Sequence, residues 1–507
     1  METLVLGQIY SARSRNYSNV GQRPPSALRR YGRAGCIALI QVFRLTGVAI
    51  NHVVGRWKTS QHLDLISSII IATFSNIMNP SPASWFSISE VQRRSLFDKD
   101  RIRGQVWIAT YASPSPPEPD ARKALAAAIL SLDKTFKEEG MTEYAPRVEA
   151  EWTAFRADAR PGDPPPPGLS ERAKYEALTA ENSGPATALY MHGGWSFFGD
   201  PLSVRDSVNR LSRTGGGRVY SVRYRLAPQN PFPAALLDSL VSYLTLLYPP
   251  PDAFHEPVAA SSIFLMGDSF GANLCFALLQ TILQLRRLGR SRIRWHGHVR
   301  NLPLPAGLVC FSPFVDFTLS SRLFHGSARS TNDILPMREE LIRHRWAPCV
   351  LWPASPPRNQ LYTVDDLLSH PLVSPVTATS WHGSPPVYMS VGDEPLIDDV
   401  RFFAARLVAQ DVPVVMEHYQ AMPHTHAMIL PHVPATDRCF DACGAFVRAV
   451  LDPAAIVKPS ATSIHFETLR DESLQFHRLS LESYDDVCRR VKNAAAEGVC
   501  LWPVMGQ

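Results

Sequence analysis

A glycine-flanked serine constrains the fold of this chain more than any other sequence feature. Residues Gly267–Gly271 read GDSFG, with the apolar run Ile263–Met266 directly before them and the helix-compatible run Asn273–Leu279 close behind. The glycines two positions before and two positions after Ser269 leave room for a strained turn that a Cβ would crowd. This order of strand, sharp turn and helix is typical of a nucleophile elbow, so we expect Ser269 to be an activated nucleophile at a helix N-terminus.

The composition describes a core-forming protein with room for additional segments. The 507 residues are 45% hydrophobic and 19% charged, which suits one large α/β domain with extensions. The net charge of +5 is modest and no RNA- or DNA-binding motif is present, so we expect no nucleic-acid partner. The eight cysteines are scattered and form no zinc pattern, so we expect free thiols and no metal ion. This cysteine usage indicates an intracellular location, either cytoplasmic or peripheral on an organelle or endoplasmic-reticulum membrane.

The first 80 residues are basic and partly apolar. Glu2 is the only acidic residue before Asp64. The apolar runs Cys36–Val54 and Leu63–Met78 are interrupted by polar residues or are shorter than the roughly 20 residues of a spanning helix. Three interpretations stay open, namely helices that pack on the core, an anchor on a membrane surface, and an Arg-rich targeting peptide. We treat residues 1–120 as one N-terminal segment.

From residue 186 onward, strand patterns alternate with helix patterns. Apolar runs are separated by helical segments such as Ala235–Tyr248 and Val400–Gln410, and this alternation predicts a mostly parallel, doubly wound sheet. We place the α/β domain at residues 121–452, with an irregular cap insertion rich in Pro and Arg at about 318–371 and a polar C-terminal tail at 453–507. The expected fold also has a helical cap and an additional N-terminal helical segment. The predicted strand runs are Ala186–Met191, Arg218–Val222, Ile263–Met266, Gly307–Phe311, Pro386–Val391 and Val412–Tyr419.

A second motif, His192-Gly193-Gly194, follows the first of these strand runs. Acyl transfer to a serine passes through a tetrahedral oxyanion, which backbone N–H groups must already face. Glycines allow the backbone to come close to the reacting carbon. We therefore expect the N–H groups of Gly193, Gly194 and Phe270 to form an oxyanion hole.

A nucleophilic serine also needs a base that is oriented by a third group. His424 lies in the loop Gln420–Ala427 after the last strand run and is the best-placed base, with His426 as its competitor. The acid is expected just after the strand run Pro386–Val391, and the residue pattern alone does not choose among four carboxylates there. These carboxylates are Asp393, Glu394, Asp398 and Asp399.

Taken together, the motifs resemble those of one family. From Ala186 to Val450, their order resembles that of the hormone-sensitive-lipase-like (GDXG) carboxylesterases of the α/β-hydrolase superfamily. The style of the motifs is most similar to that of fungal members, some of which act in secondary metabolism. The matching motifs are His192-Gly193-Gly194, Tyr224–Pro228, Pro231–Asp238, Gly267-Asp268-Ser269-Phe270-Gly271, Ser312–Asp316, Ser374-Pro375 and Met422-Pro423-His424.

The resemblance implies roles for the ambiguous residues. The histidine of the family lies five residues after the tyrosine that ends the last strand, which gives His424 here. Its acid stands directly before Pro-Leu-x-Asp, which gives Glu394, whereas a shift of one residue would give Asp393. Three positions depart from the family pattern: Trp195 replaces a glycine, Phe270 replaces a small residue, and His426 stands where the family often has an aromatic residue. Trp195 and Phe270 would either narrow the acyl pocket or line it for a flat, apolar substrate, and both leave the backbone donors in place.

The resemblance implies a serine hydrolase that cleaves a small hydrophobic carboxylic ester through an acyl-enzyme and needs no cofactor. Two alternatives would use the same fold, namely an acyltransferase with the same triad and a small-ligand binder without activity. A third alternative, from another class, is a membrane-tethered scaffold organised by the N-terminal segment. We adopt the esterase as the working hypothesis because Ser269, His424 and a nearby carboxylate are all present.

Overall fold

A computed structural model describes residues 27–78, 86–95, 102, 104–136, 145–324, 333–343, 346–355, 357–501 and 503–504. The chain divides into two compact units, Met1–Trp57 and Lys58–Gln507. The described part of the first unit is dominated by one long helix, α1, which spans Ala27–Val53.

The second unit is built on one large sheet. Its strands lie in the order β1-β2-β4-β3-β5-β8-β9-β10-β11-β12, and all neighbours from β4 to β11 in this order are parallel. Strands β1, β2 and β12 pair antiparallel with their neighbours, and β6 and β7 form a separate hairpin. The strands are β1 Val106–Ser113, β2 Val148–Phe155, β3 Ala186–Met191, β4 Gly217–Arg223, β5 Ile263–Asp268, β6 Arg292–Trp295, β7 His298–Asn301, β8 Gly307–Phe311, β9 Val387–Gly392, β10 Val414–Tyr419, β11 Ser460–Ile464 and β12 Asp471–Leu474.

Helices cover both faces of this sheet. The remaining helices are α2 Leu65–Met78, α3 Ile88–Ser95, α4 Asp120–Leu132, α5 Glu171–Glu181, α6 Arg205–Gly215, α7 Ala234–Leu247, α8 Phe270–Arg287, α9 Arg338–Arg343, α10 Ile397–Val408, α11 His426–Ile429, α12 Pro434–Leu451, α13 Phe476–Leu479 and α14 Tyr484–Ala496. Helices α6 and α12 pack together on the face that carries Ala188 and Tyr190 of β3. Helix α8 packs with α4 and α7 on the opposite face, since successive strand residues point to opposite sides.

The predicted fold class is confirmed as a mostly parallel α/β sheet with helices on both faces. The strands Ala186–Met191 and Gly307–Phe311 have their predicted bounds, and the ends of the other predicted strands lie within two residues of the predicted ones. Strands β1, β2, β11 and β12 were not predicted. They extend the sheet at its two edges.

The large sheet extends beyond residues 120 and 452, where the sequence analysis placed the boundaries of the α/β domain. Strand β1 lies before residue 121 and pairs along its whole length with β2, whereas β11 lies after residue 452 and pairs parallel with β10. Backbone hydrogen bonds of the sheet therefore cross both predicted boundaries. In the described part of 318–371, the regular structure is limited to the short helix α9 and isolated 3-10 turns.

The two apolar runs near the N-terminus form helices α1 and α2. Within the residues that the structure describes, neither they nor any other helix has the length and apolar character to cross a membrane.

Candidate active site

The GDSFG motif forms a tight turn between β5 and α8. Ser269 has φ 52° and ψ −117°, a conformation that costs energy for a residue with a Cβ, and α8 begins at the next residue. A Cβ added to Gly267 would lie 2.6 Å from the carbonyl oxygen of Met191 at the end of β3, and one added to Gly271 would overlap the same oxygen. Both glycines are therefore needed for the close approach of this turn to β3, as the motif predicts.

The backbone around Ser269 is tied to the neighbouring strand. Its N–H donates to the carbonyl of Phe311 (2.8 Å), and its own carbonyl accepts from the N–H of Phe314 (3.3 Å). The buried Asn273 side chain donates to the carbonyls of Phe314 and Val373. These bonds hold the strained turn in one conformation while the Ser269 side chain stays partly accessible.

His424 and Glu394 form a buried pair beside this turn. The Nδ1 atom of His424 lies 2.8 Å from Oε2 of Glu394, and the two residues are 3% and 1% exposed. Burial alone lowers the pKa of His424, but the charges of Glu394, Asp333 and Asp268 outweigh burial and raise the pKa above its ordinary value. His424 follows β10 and Glu394 follows β9, so the parallel sheet places both residues at the edge where Ser269 follows β5.

The neighbouring acid, Asp393, is engaged elsewhere. Its Oδ1 lies 2.7 Å from Nε2 of His418, and its Oδ2 accepts from the N–H of Ala421 at 2.6 Å. Burial alone raises the pKa of Asp393, but these two hydrogen bonds hold it below its ordinary value. Of the two adjacent acids, only Glu394 contacts the His424 ring in the described structure.

The competing histidine, His426, has a different environment from His424. It is buried, and its ring packs against that of Tyr419 with centroids 4.7 Å apart. It is the first residue of the short helix α11. The structure thus brings His424, not His426, to Glu394.

The imidazole of His424 and the hydroxyl of Ser269 are not hydrogen-bonded to each other in the part of the chain that the structure describes. Serine–histidine pairs are often long in enzymes without substrate and tighten when substrate binds. The loop that carries His424 is held in place by Ser312, whose Oγ accepts from the N–H of Thr425 at 3.0 Å. The backbone that carries the imidazole is therefore fixed.

The His192-Gly193-Gly194 loop is bound to the elbow through Asp268. The N–H of Gly193 donates to Oδ1 of Asp268 at 3.1 Å, and the hydroxyl of Tyr190 donates to the same oxygen at 2.7 Å. A Cβ at Gly193 would overlap the Asp268 carboxylate. The Gly193 N–H is therefore engaged in holding the loop, contrary to its predicted use as an oxyanion donor. Asp268, which the sequence assigned only to the motif, joins the loop to the nucleophile turn.

The rest of this loop has the geometry expected of an anion-facing turn. Gly194 has φ +114°, a conformation that favours glycine, and a Cβ there would overlap the carbonyl of Phe198. In the described structure, the N–H groups of Gly194 and Phe270 have no hydrogen-bond partner. His192 stacks on Tyr224, and burial lowers its pKa to about 4, so its ring is neutral at pH 7.

Asp333 is a site residue that the sequence analysis missed. Its Oδ1 accepts from the backbone N–H groups of His424 (2.9 Å) and Ile334 (2.7 Å). Burial, followed by the charge of Glu394, raises the pKa of Asp333 to about 7. Asp333 comes from the irregular span between β8 and β9, where neither periodicity nor a motif could have indicated it.

An aromatic cluster surrounds the residue after the nucleophile. The Phe270 ring lies 5.0 Å from that of Tyr362 and 5.8 Å from that of Phe317. Trp195 packs edge-to-face on Phe314, which in turn contacts Phe317. All five residues are buried. The two aromatic residues that depart from the family pattern therefore belong to one continuous apolar wall.

Comparison with known proteins agrees with this geometry. Residues 188–428 match the family described as the α/β-hydrolase fold. An acetyl-hydrolase of Streptomyces hygroscopicus is 31% identical over 263 residues, which are 52% of this chain and 75% of that protein. An esterase of Acinetobacter venetianus is 28% identical over 252 residues (49% of this chain and 69% of that protein).

A third relative is the versiconal hemiacetal acetate esterase of Emericella nidulans, which is 29% identical over 246 residues, 47% of this chain and 73% of that protein. The matched region contains the elbow, the HGG loop and the loops that carry Glu394 and His424. The chain therefore belongs to the α/β-hydrolase fold family and is a serine ester hydrolase with the motifs of the hormone-sensitive-lipase-like carboxylesterases.

Proposed function

We propose that Ser269, His424 and Glu394 are the catalytic triad of this ester hydrolase. The observation that carries the assignment is the buried 2.8 Å contact between His424 Nδ1 and Glu394 Oε2, at the same sheet edge as a serine on a strained turn. Glu394 orients the imidazole through Nδ1 and leaves Nε2 to accept the proton of Ser269. Asp393 is the weaker choice because His418 and the Ala421 N–H already occupy its two oxygens.

In the proposed reaction, Ser269 Oγ attacks the ester carbonyl while His424 Nε2 takes its proton. The oxyanion that forms is held by the N–H groups of Gly194 and Phe270, at the positive end of the α8 dipole. His424 then gives the proton to the departing alcohol, and an acyl group stays on Ser269. Water, activated by the same imidazole, releases the carboxylic acid and restores the serine.

We propose that the substrate is a small hydrophobic ester with a short acyl group. The support comes from the aromatic wall, because Phe270 lies directly after the nucleophile and its ring packs against Phe317 and Tyr362. A wall of this kind leaves little room for a long chain beside Ser269. The acetyl-hydrolase and the acetate esterase among the relatives support the same choice.

The test is hydrolysis of p-nitrophenyl acetate and p-nitrophenyl octanoate by the parent protein, Ser269→Ala and Phe270→Ala. We expect the parent to prefer the acetate and Ser269→Ala to lose about 10⁶-fold in kcat. Phe270→Ala keeps the backbone donor and is expected to shift the preference toward the octanoate. Full ester hydrolysis by Ser269→Ala would refute the assignment of Ser269 as the nucleophile. An unchanged preference for the acetate ester in Phe270→Ala would refute only the proposal that Phe270 limits the length of the acyl group.

We infer an intracellular location, cytoplasmic or peripheral on an organelle membrane. The support is that the seven cysteines whose side chains the structure describes are all free. A reducing compartment would maintain that state.

A further inference from the structure

Helix α1 carries a stripe of solvent-exposed apolar side chains. Among the described residues, seven of the fifteen exposed large hydrophobic side chains lie between residues 39 and 54. Five of the seven recur at helical spacing, so they share one face of α1. These five are Leu39 (57% exposed), Val42 (60%), Phe43 (70%), Ile50 (59%) and Val53 (75%).

The stripe occupies one side of α1. Val48, which is 2% exposed, lies half a turn away from the centre of the stripe. The five apolar side chains therefore lie on a different side of α1 from Val48, and they are open to solvent. An exposed contiguous apolar surface on a folded protein usually marks an interaction site.

The charge of the surrounding segment indicates the chemistry of the partner. The first 63 residues contain nine basic residues and one acidic residue, a net charge of +8. The remaining residues contain 42 basic and 45 acidic residues, a net charge of −3. The positive charge of the whole chain therefore comes from the segment that carries the stripe.

A basic segment with an exposed apolar helix face matches an anionic lipid surface. Basic residues are attracted to anionic headgroups, and apolar side chains enter the boundary between headgroups and acyl chains. A second copy of this chain fits less well, because pairing would bring two segments of net charge +8 together. We do not propose a membrane-spanning arrangement, because none of the described helices, α1 included, is long and apolar enough to cross a bilayer.

We propose that α1 lies in the plane of an anionic membrane surface and buries Leu39, Val42, Phe43, Ile50 and Val53 among the lipids. The net positive charge of the same segment attracts the protein to the anionic headgroups. The partner is thus a negatively charged lipid membrane, and the enzyme binds it peripherally.

The test uses the full-length protein in co-sedimentation with two kinds of vesicle. One kind contains phosphatidylserine and phosphatidylcholine, and the other contains phosphatidylcholine alone. We expect binding to the first kind, weaker binding at high salt, and little binding to the second. Phe43→Asp should lower the partition coefficient for anionic vesicles by about tenfold or more, because a buried aromatic ring is replaced by a charge.

A matched control is Leu481→Asp, which replaces a 98% exposed leucine far along the chain from α1. This control should bind vesicles as the parent does, and both variants should keep ester hydrolysis, which shows that they fold. The proposal is overturned if Phe43→Asp binds like the parent or if phosphatidylserine makes no difference. A dimer that Phe43→Asp dissociates, with no vesicle binding by the parent, would assign the stripe to a second copy instead.

Discussion

His424 is held at two different atoms by two carboxylates. Glu394 lies at the ring Nδ1, whereas Asp333 accepts the backbone N–H of the same residue. Asp333 is buried and close enough to Glu394 for the charge of that residue to raise its pKa further, to about 7. The carboxyl group that fixes the backbone at His424 is therefore one whose ionisation is disfavoured by its surroundings.

Asp333 should make the folded protein less stable as pH rises. Its pKa is about 7 in the folded protein and near 3.8 when unfolded, so the folded state binds the proton more tightly between these values. The free energy of unfolding therefore falls from about pH 4 to about pH 7 through this group. Asp333→Asn keeps an acceptor oxygen for the two N–H groups and removes the titration.

We expect the stability of Asp333→Asn relative to the parent to increase as pH rises through this window. Urea unfolding of both proteins at about pH 5 and about pH 7.5 measures the difference. Asp366→Asn, at an exposed position, is the control and should show no such trend. A difference that is constant or that decreases with pH would contradict the buried, proton-retaining state of Asp333.

At the level of elements, an arginine of helix α14 reaches buried acids of the core. Arg490 donates to Oδ1 of Asp399 on α10 at 2.9 Å and to Oγ of Ser320 at 2.8 Å. Its guanidinium also lies 3.5 Å from Asp316. Burial, followed by the charge of Asp316, raises the pKa of Asp399 to about 7, and Arg490 opposes this rise. One cation thus compensates a buried pair of acids.

Arg490→Met should destabilise the protein by about 3–5 kcal/mol, because it leaves buried acids without a cation. The adjacent Arg489 is a matched control. It pairs with Asp486 at 2.9 Å, but both side chains are more than half exposed, so Arg489→Met should leave the free energy of unfolding nearly unchanged. Urea unfolding at about pH 8, where Asp399 is ionised, provides the comparison. Equal effects of the two substitutions would show that Arg490 does not compensate the buried acids.

At the level of the whole molecule, the sequence could predict those parts of the site that depend on residues close together in the chain. The elbow could be predicted because two glycines around Ser269 are needed for the close approach to β3. Alternating strands and helices predicted a parallel sheet, whose common edge brings the loops after β5, β9 and β10 together. The choice of Glu394 over Asp393 came from the family resemblance. The contacts of both residues now support that choice.

Other features depend on long-range contacts that no local pattern contains. Asp333 reaches His424 from an irregular span, and only the fold brings the two residues together. Gly193 was predicted as an oxyanion donor, but its N–H faces Asp268, 75 positions along the chain. Strands β11 and β12 are short and polar. Their place in the sheet follows from the pairing of β11 with β10 and of β12 with β11, and not from a hydrophobic pattern.

The identity of the triad acid is tested most directly by comparing kcat in Glu394→Gln and Asp393→Asn with an acetate ester. Each substitution removes one charge and keeps the size of the side chain. We predict that Glu394→Gln loses about 10⁴-fold in kcat, because the imidazole loses the carboxylate that orients it. Asp393→Asn should lose less than about tenfold, since Asp393 contacts His418 and the Ala421 N–H instead. A large loss in Asp393→Asn with a small one in Glu394→Gln would contradict the proposed triad.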